Sequence, residues 1–264
     1  MKIAIAGATG RMGRALLDAA GAADDMVLSG ALVRPGHPAL GQEAALLAGG
    51  GGVVRLTDDV DAVIGGCDVL IDFTSPAATL AFAQVCAAAG RPAVIGTTGL
   101  SPDDMERLRA HAGRIPLVVA ANTSVGVTLS LHLLEIAARV LADADVEIVE
   151  AHHRHKVDAP SGTALAMGRA VAQARGQRLE DVAVYDRHGR REPRADGSIG
   201  FASIRAGEIV GDHRVMLVGP AERLEIVHVA DNRRVFADGA LRAARFVKTA
   251  APGLYDMRDV LGLR

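Results

Sequence analysis

At 264 residues the chain can bury a substantial core, as one large domain or two smaller ones. Half the residues are hydrophobic, yet only 3% are aromatic and none is Trp, so packing must rest on Ala, Val, Leu and Ile. A formal charge of −2 excludes any overall electrostatic case for nucleic acid, and anion binding has to be local.

Cys67 and Cys86 make a poor disulfide framework and fit a reducing cytosol. The apolar run Ile3–Ala6 is too short for a secretory leader. Phe73–Gly90 and Ile115–Leu134 lack formal charge, but both contain Pro and read as strand–turn–helix segments rather than membrane spans. The expectation is a soluble, cytoplasmic protein.

In chain order, the apolar runs Ile3–Ala6, Val27–Val33, Val69–Phe73, Ala93–Ile95 and Leu117–Ala120 read as buried parallel strands. Between them, Arg11–Ala23, Pro76–Ala89 and Pro102–Ala112 have helical spacing, with Ser75 and Ser101 as N-caps before proline. This alternation predicts α/β architecture with an N-terminal Rossmann-like, doubly wound parallel sheet. Gly49–Gly52 forms a low-complexity loop, expected to be mobile.

From Val125 the pattern changes. A helix over Thr128–Leu141 leads to a strand, Val146–Ala151, then a basic segment and a helix over Thr163–Ala174. Strand-like pieces follow at Ala183–Tyr185, Ile199–Arg205, Glu208–Val218 and Glu222–Val229, punctuated by Gly207 and Gly219-Pro220 as if in antiparallel hairpins. A final helix, Phe236–Thr249, and a short tail close the chain. The expected organisation is a dinucleotide-binding domain over 1–124 and a C-terminal α+β domain with an open mixed sheet over 125–233. The latter would bind substrate and mediate oligomerisation, while 234–264 returns to pack on the first domain.

Gly7, Gly10 and Gly13 follow the first strand with G-x-x-G-x-x-G spacing. Glycines there allow a sharp turn and close approach of backbone to a pyrophosphate, which the helix N-terminus then attracts. About twenty residues on, an acidic side chain would bind the ribose 2′-hydroxyl of NADH. This chain has Val33-Arg34 instead, so Arg34 can pair with the 2′-phosphate of NADPH, or simply be solvated. Gly96-Thr97-Thr98-Gly99 and Ala120-Ala121-Asn122-Thr123-Ser124 lie at two further strand ends. They fit nicotinamide-side contacts, or plain turn and cap chemistry.

The segment from Glu150 to Ala164, EAHHRHKVDAPSGTA, combines three histidines, Lys156 and Arg154 with a Pro-Ser-Gly-Thr helix start. A metal reading is weak, because neighbouring His152 and His153 on a strand point to opposite faces and no Cys cluster supports them. A solvated basic patch is the plain alternative. Ser161-Gly162-Thr163 supplies N–H donors and hydroxyls suited to a carboxylate, and His and Lys supply protons. An acidic substrate that takes up a hydride and a proton fits this set.

That segment closely resembles the signature of the 4-hydroxy-tetrahydrodipicolinate (dihydrodipicolinate) reductases. The resemblance extends to Gly7–Gly13, Asp72-Phe73-Thr74, Gly96–Gly99, Ala120-Ala121-Asn122 and the tail Leu254–Leu261. It implies NAD(P)H-dependent reduction of 4-hydroxy-tetrahydrodipicolinate with loss of water, in L-lysine biosynthesis via diaminopimelate. It makes His152 the general acid/base, Lys156 the proton donor, and His153, Gly162 and Thr163 the substrate-carboxylate ligands. Gly7, Ala8, Thr9, Gly10, Arg11, Met12, Gly96, Thr97, Thr98, Ala120, Ala121, Asn122 and Thr123 would line the nucleotide. The resemblance also implies a homotetramer joined through the C-terminal sheets. Two positions depart from it: many relatives carry an acidic residue in place of Val33, and some an aromatic in place of Thr123. The competing readings are another Rossmann-type amino-acid dehydrogenase and a non-catalytic NADPH sensor; neither explains the run from Lys156 to Thr163.

Overall fold

A computed structural model describes residues 1–47 and 54–264; the Gly49–Gly52 loop lies outside the described residues. The chain divides into two compact units, Met1–Val125 with Arg233–Arg264, and Gly126–Asn232.

The first unit runs β1 (Lys2–Ala6), α1 (Arg11–Gly21), β2 (Val27–Leu32), a 3-10 turn (Ala44–Leu47), β3 (Leu56–Thr57) and α2 (Val60–Gly66). It continues with β4 (Val69–Asp72), α3 (Pro76–Ala89), β5 (Ala93–Ile95), α4 (Pro102–Ala112) and β6 (Pro116–Val119). The second unit holds nearly all of α5 (Val125–Val140), then β7 (Asp145–His152), α6 (Gly162–Ala174), the single turn α7 (Leu179–Val182), β8 (Ala183–Val184), β9 (Ile199–Arg205), β10 (Gly211–Val218) and β11 (Arg223–Ala230). The chain then returns to the first unit as α8 (Arg234–Thr249), β12 (Gly253–Tyr255) and α9 (Met257–Leu261).

The first sheet is parallel throughout, in the order β12-β6-β5-β4-β1-β2-β3. Crossovers leave β1 in one direction and β4 in the other, so β1 and β4 flank the switch point where ligands of such sheets bind. Both faces are covered. Ile3, Ile5, Ile71, Val94 and Val118 pack with Leu16 and Leu17 of α1 and Ala240, Leu241, Ala244 and Val247 of α8. Ala4, Leu32, Leu70, Ile95 and Leu117 pack with Ile64, Leu80, Ala83, Cys86 and Leu108 on the other side. The small alanine side chains let the helices lie close, as the scarcity of aromatics required.

Helix starts follow local chemistry. Ser101 and Asp104 form a reciprocal capping box at α4. Ser75 occupies the N-cap of α3 without a side-chain bond, and Pro76 at the first position carries no N–H to satisfy. β3, α2 and β12, at two, seven and three residues, are too short to carry a periodicity signal in the sequence. The tail is therefore the seventh strand of the sheet plus a capped helical turn.

The second sheet is mixed, ordered β11-β10-β7-β9-β8. Val146, Ile148, Ile199, Phe201, Val215 and Leu217 on one face pack with Leu134 and Ala138 of α5 and Met167 and Val171 of α6. The hairpin across Gly219-Pro220 is present as β10–β11. The one expected at Gly207 is not: β9 pairs in parallel with β7, and β7 separates β9 from β10. A short connection suggests a hairpin, but pairing was decided by which strands bury β7. Among the described residues no helix is long and apolar enough to cross a membrane.

Candidate active site

In the first unit, the turn after β1 is shaped by two glycines. Gly7 has φ +78°, which L side chains rarely adopt, and a Cβ there would meet the Phe73 carbonyl oxygen at 2.8 Å. A Cβ on Gly13 would lie 2.2 Å from the Gly7 carbonyl oxygen, so the first turn of α1 packs directly on the loop. The Leu32 carbonyl accepts from the N–H groups of both Gly7 and Ala8 at 3.1 Å, tying the turn to β2.

A cavity of about 400 Å³ opens at the C-terminal ends of the strands. Gly10, Arg11, Met12, Gly96, Thr97, Thr98, Ala121, Asn122 and Thr123 line it, nine of the residues singled out from sequence. Gly7, Ala8, Thr9, Ala120 and Arg34 do not form its wall. Thr9 instead meets His37 at 3.3 Å, Arg34 is exposed just beyond β2, and Val33 is buried in the core.

Phe73, Thr74 and Phe236 also line the cavity; the sequence marks the first two only as part of the resemblance and the third only as a helix start, none with a role at the nucleotide. Phe73 and Thr74 follow β4, and the strand-end rule could have found them. Phe236 lies on α8, 113 residues beyond Thr123, whose hydroxyl donates to the Phe236 carbonyl at 2.6 Å; no local signal marks it. Beneath the floor, buried Asp72 accepts from the hydroxyls of Thr74 and Thr79, both at 2.5 Å. Thr97 in turn accepts from the Thr74 N–H at 3.0 Å. Burial pushes the Asp72 carboxyl up, while the three threonine hydroxyls pull it back. This network fixes the two loops that carry Phe73, Thr74, Thr97 and Thr98.

In the second unit, strand register assembles a polar cluster at one end of the helix-covered face. Glu150 stands opposite His213 and Ser203, His213 opposite His228, and His152 opposite Arg205. Buried Glu150 accepts both arms of Arg205 at 2.8 and 2.9 Å, the Ser161 N–H at 3.2 Å, and contacts His152 Nδ1 at 2.6 Å. Burial alone would raise its carboxyl, but hydrogen bonds from Arg205, Ser203 and His152 hold it down at about 2. Burial lowers His152, against the opposing pull of Glu150.

Ser161 caps α6 by accepting from the Ala164 N–H at 3.1 Å, and its hydroxyl lies 2.9 Å from His213 Nε2. Gly162 and Thr163 form the first turn of α6, at the end where the helix dipole is positive. Lys156 sits in the intervening turn with its ammonium 2.8 Å from Asp158, and that cation holds the Asp158 carboxyl below its usual range. His153 is half-buried, with its ring 6.2 Å from that of His155. The Ala159–Pro160 bond within this turn is cis.

Two family descriptions, the N-terminus and the C-terminus of dihydrodipicolinate reductase, match residues 1–123 and 126–261. The chain belongs to the dihydrodipicolinate reductase family. The 4-hydroxy-tetrahydrodipicolinate reductase of Thiobacillus denitrificans is 53% identical, covering 100% of this chain and 99% of that one. The corresponding protein of Nitrosospira multiformis is 55% identical over 100% of this chain and 98% of its own. Among solved structures, a dipicolinate-bound dihydrodipicolinate reductase from Paenisporosarcina sp. TG-14 superposes with a TM-score of 0.78. That structure is 23% identical and covers 97% of each chain, so it shows the same fold. Both family halves are therefore present, the first a nucleotide-binding Rossmann domain, and the chain is a reductase of the NAD(P)H-dependent kind.

Proposed function

We propose that this chain reduces (2S,4S)-4-hydroxy-2,3,4,5-tetrahydrodipicolinate to (S)-2,3,4,5-tetrahydrodipicolinate. NADH or NADPH and a proton are consumed and water is released, in L-lysine biosynthesis via diaminopimelate. The carrying observation is the layout of the family signature: His152 ends β7, Lys156 lies in the turn, and Ser161–Thr163 open α6.

The nucleotide fits the first unit. The glycine turn leaves no Cβ against a pyrophosphate, and the cavity floor is held by buried Asp72. When bound, NAD(P)H supplies the hydride. The chain's own groups do the rest. The start of α6 and His153 bind the substrate carboxylates, Lys156 delivers a proton, and His152 acts as general acid/base.

NADPH is the preferred cofactor in this reading. Val33 is buried and offers no carboxylate to a 2′-hydroxyl, whereas exposed Arg34 can reach a 2′-phosphate. The assembly is a homotetramer joined through the second sheet, whose outward face exposes Ile204, Val218, Val227 and Val229. A cytoplasmic location belongs to the same reading, since both cysteines are buried thiols that suit a reducing compartment.

The test is nucleotide oxidation in a coupled assay in which dihydrodipicolinate synthase generates the unstable substrate. Turnover that depends on the synthase, faster with NADPH than with NADH, is expected. Lys156→Ala should lower kcat about 10²–10⁴-fold while leaving NADPH affinity within a few-fold. Near-normal turnover of that variant would remove Lys156 from the chemistry.

A further inference from the structure

The second unit holds a buried carboxylate to which this scheme gives no role. Glu150 is 1% exposed and makes more directed bonds than any other acid in the cluster. Its Oε1 accepts from Arg205 Nη2 and from the Ser161 N–H, and its Oε2 accepts from Arg205 Nη1 and faces His152 Nδ1.

Donor and acceptor arithmetic then fixes the protons. A guanidinium and a backbone N–H can only donate, so Glu150 must accept from both, as an ionised carboxylate does at each oxygen. The Ser203 hydroxyl and His152 are the partners able to play either role. Facing an acceptor-only carboxylate at 2.6 Å, Nδ1 must carry the hydrogen. In the neutral imidazole, Nε2 is then the bare nitrogen available to take or return a proton. Nε2 lies over Gly211, where an added Cβ would stand 3.1 Å away, so the missing side chain at this position of β10 leaves room for the ring.

We propose that Glu150, clamped by Arg205, is the positioning residue that fixes His152 with Nε2 as its proton-exchanging nitrogen and ties that ring to the start of α6. The tie runs through Oε1. The same carboxylate that orients His152 holds the Ser161 N–H, one residue before Gly162 and Thr163. A second strut lies beside it, where His213 meets the Ser161 hydroxyl and stacks edge-on to His152 with ring centroids 5.2 Å apart. Movement of the acid/base group relative to the carboxylate-binding helix start is thereby opposed from two strands.

Among the described residues, charged and titratable groups face His152 from several elements. Glu150 comes from its own strand, Arg205 from β9, His213 from β10 with His228 of β11 behind it, and Lys156 and Asp158 from the turn. Of these only Glu150 and Asp158 are anionic, and only Glu150 touches the ring. Glu150→Gln replaces an acceptor by an amide whose NH₂ must confront Arg205 together with either Ser161 N–H or His152 Nδ1. With the NH₂ towards His152 the tautomer lock is lost, and with it towards Ser161 the tie to α6 is lost.

This inference rests on the reductase reading, and its tests separate the two. The direct one needs no variant and no turnover: ¹⁵N NMR of the histidine rings in the full-length protein above neutral pH. The expected result is a His152 ring protonated at Nδ1 and bare at Nε2. The opposite tautomer overturns the proposal even if the enzyme is fully active, whereas absence of turnover in the unmodified enzyme counts against the reductase reading alone.

The second test is Glu150→Gln, with Arg205→Lys as a milder companion should the first fail to fold. For Glu150→Gln we expect kcat to fall about 10²-fold or more, NADPH affinity to stay within about threefold, and KM for substrate to rise. The acid limb of the pH–kcat/KM profile should move to lower pH by about one unit, because the carboxylate that favours the imidazolium is gone. Arg205→Lys should move the limb less, since it keeps the charge and loses the fork. A purely structural role would lower yield or melting temperature without moving the limb. A folded Glu150→Gln enzyme with the parental pH profile would falsify the positioning role.

Discussion

Acid should weaken this protein through His213, and His213→Gln should remove most of that weakness. The ring is 4% exposed, and burial, reinforced by the neighbouring His152, depresses it from 6.5 to about 4. A depressed histidine binds fewer protons in the folded state than in the unfolded one. Its contribution to stability is therefore intact above the unfolded value and is lost as pH falls from 6.5 towards 4. The whole shift corresponds to about 3 kcal/mol, of which about 2 kcal/mol is already lost between pH 8 and pH 5. Glu150 titrates outside this interval, because its shift runs from 4.5 down to about 2. His152 and His228 are also lowered, but they remain in the variant and cancel in the comparison. Gln can still meet the Ser161 hydroxyl and does not titrate. Urea unfolding by far-ultraviolet circular dichroism, at one protein concentration, would give the pH 8 minus pH 5 difference for both proteins. It should be smaller in the variant by about 2 kcal/mol. Equal differences, within about half a kilocalorie, would refute the idea that His213 is held neutral by its surroundings.

Two further outcomes follow from the first unit. Gly13→Ala places a methyl 2.2 Å from the Gly7 carbonyl oxygen. Overpacking of this kind costs about 1–3 kcal/mol. The variant should melt several degrees lower and lose NADPH binding as followed by cofactor fluorescence; parental melting and affinity would show that the turn is not packed this way. Cys67 and Cys86 are buried, burial raising the first thiol to about 11 and the second further above its usual range. Neither should react with a disulfide reagent in the native enzyme near pH 8 until urea exposes it; rapid labelling of the folded protein would contradict their burial.

What the sequence determined by itself is chemistry that acts over a few residues. The turn after β1, the capping box at Ser101–Asp104, the strand–helix alternation and the Ser161 cap of α6 are short-range matters of φ, donors and periodicity. They are legible wherever the residues are adjacent, and the signature from Glu150 to Ala164 is legible for the same reason.

The partners of those residues were not. Glu150 was visible as the first letter of a motif, but nothing near it announced Arg205, 55 residues on, or His213. Phe236 reaches the cavity from α8, and β12 joins β6 from the far end of the chain. Gly207 had the look of a hairpin turn, yet β7 came between the strands on either side of it. The reason is physical. A strand's own sequence sets which faces its side chains take, whereas its neighbours and register are set by how the whole sheet buries its apolar face against α5 and α6. Only that packing put a carboxylate, an arginine and three histidines from four strands on one face.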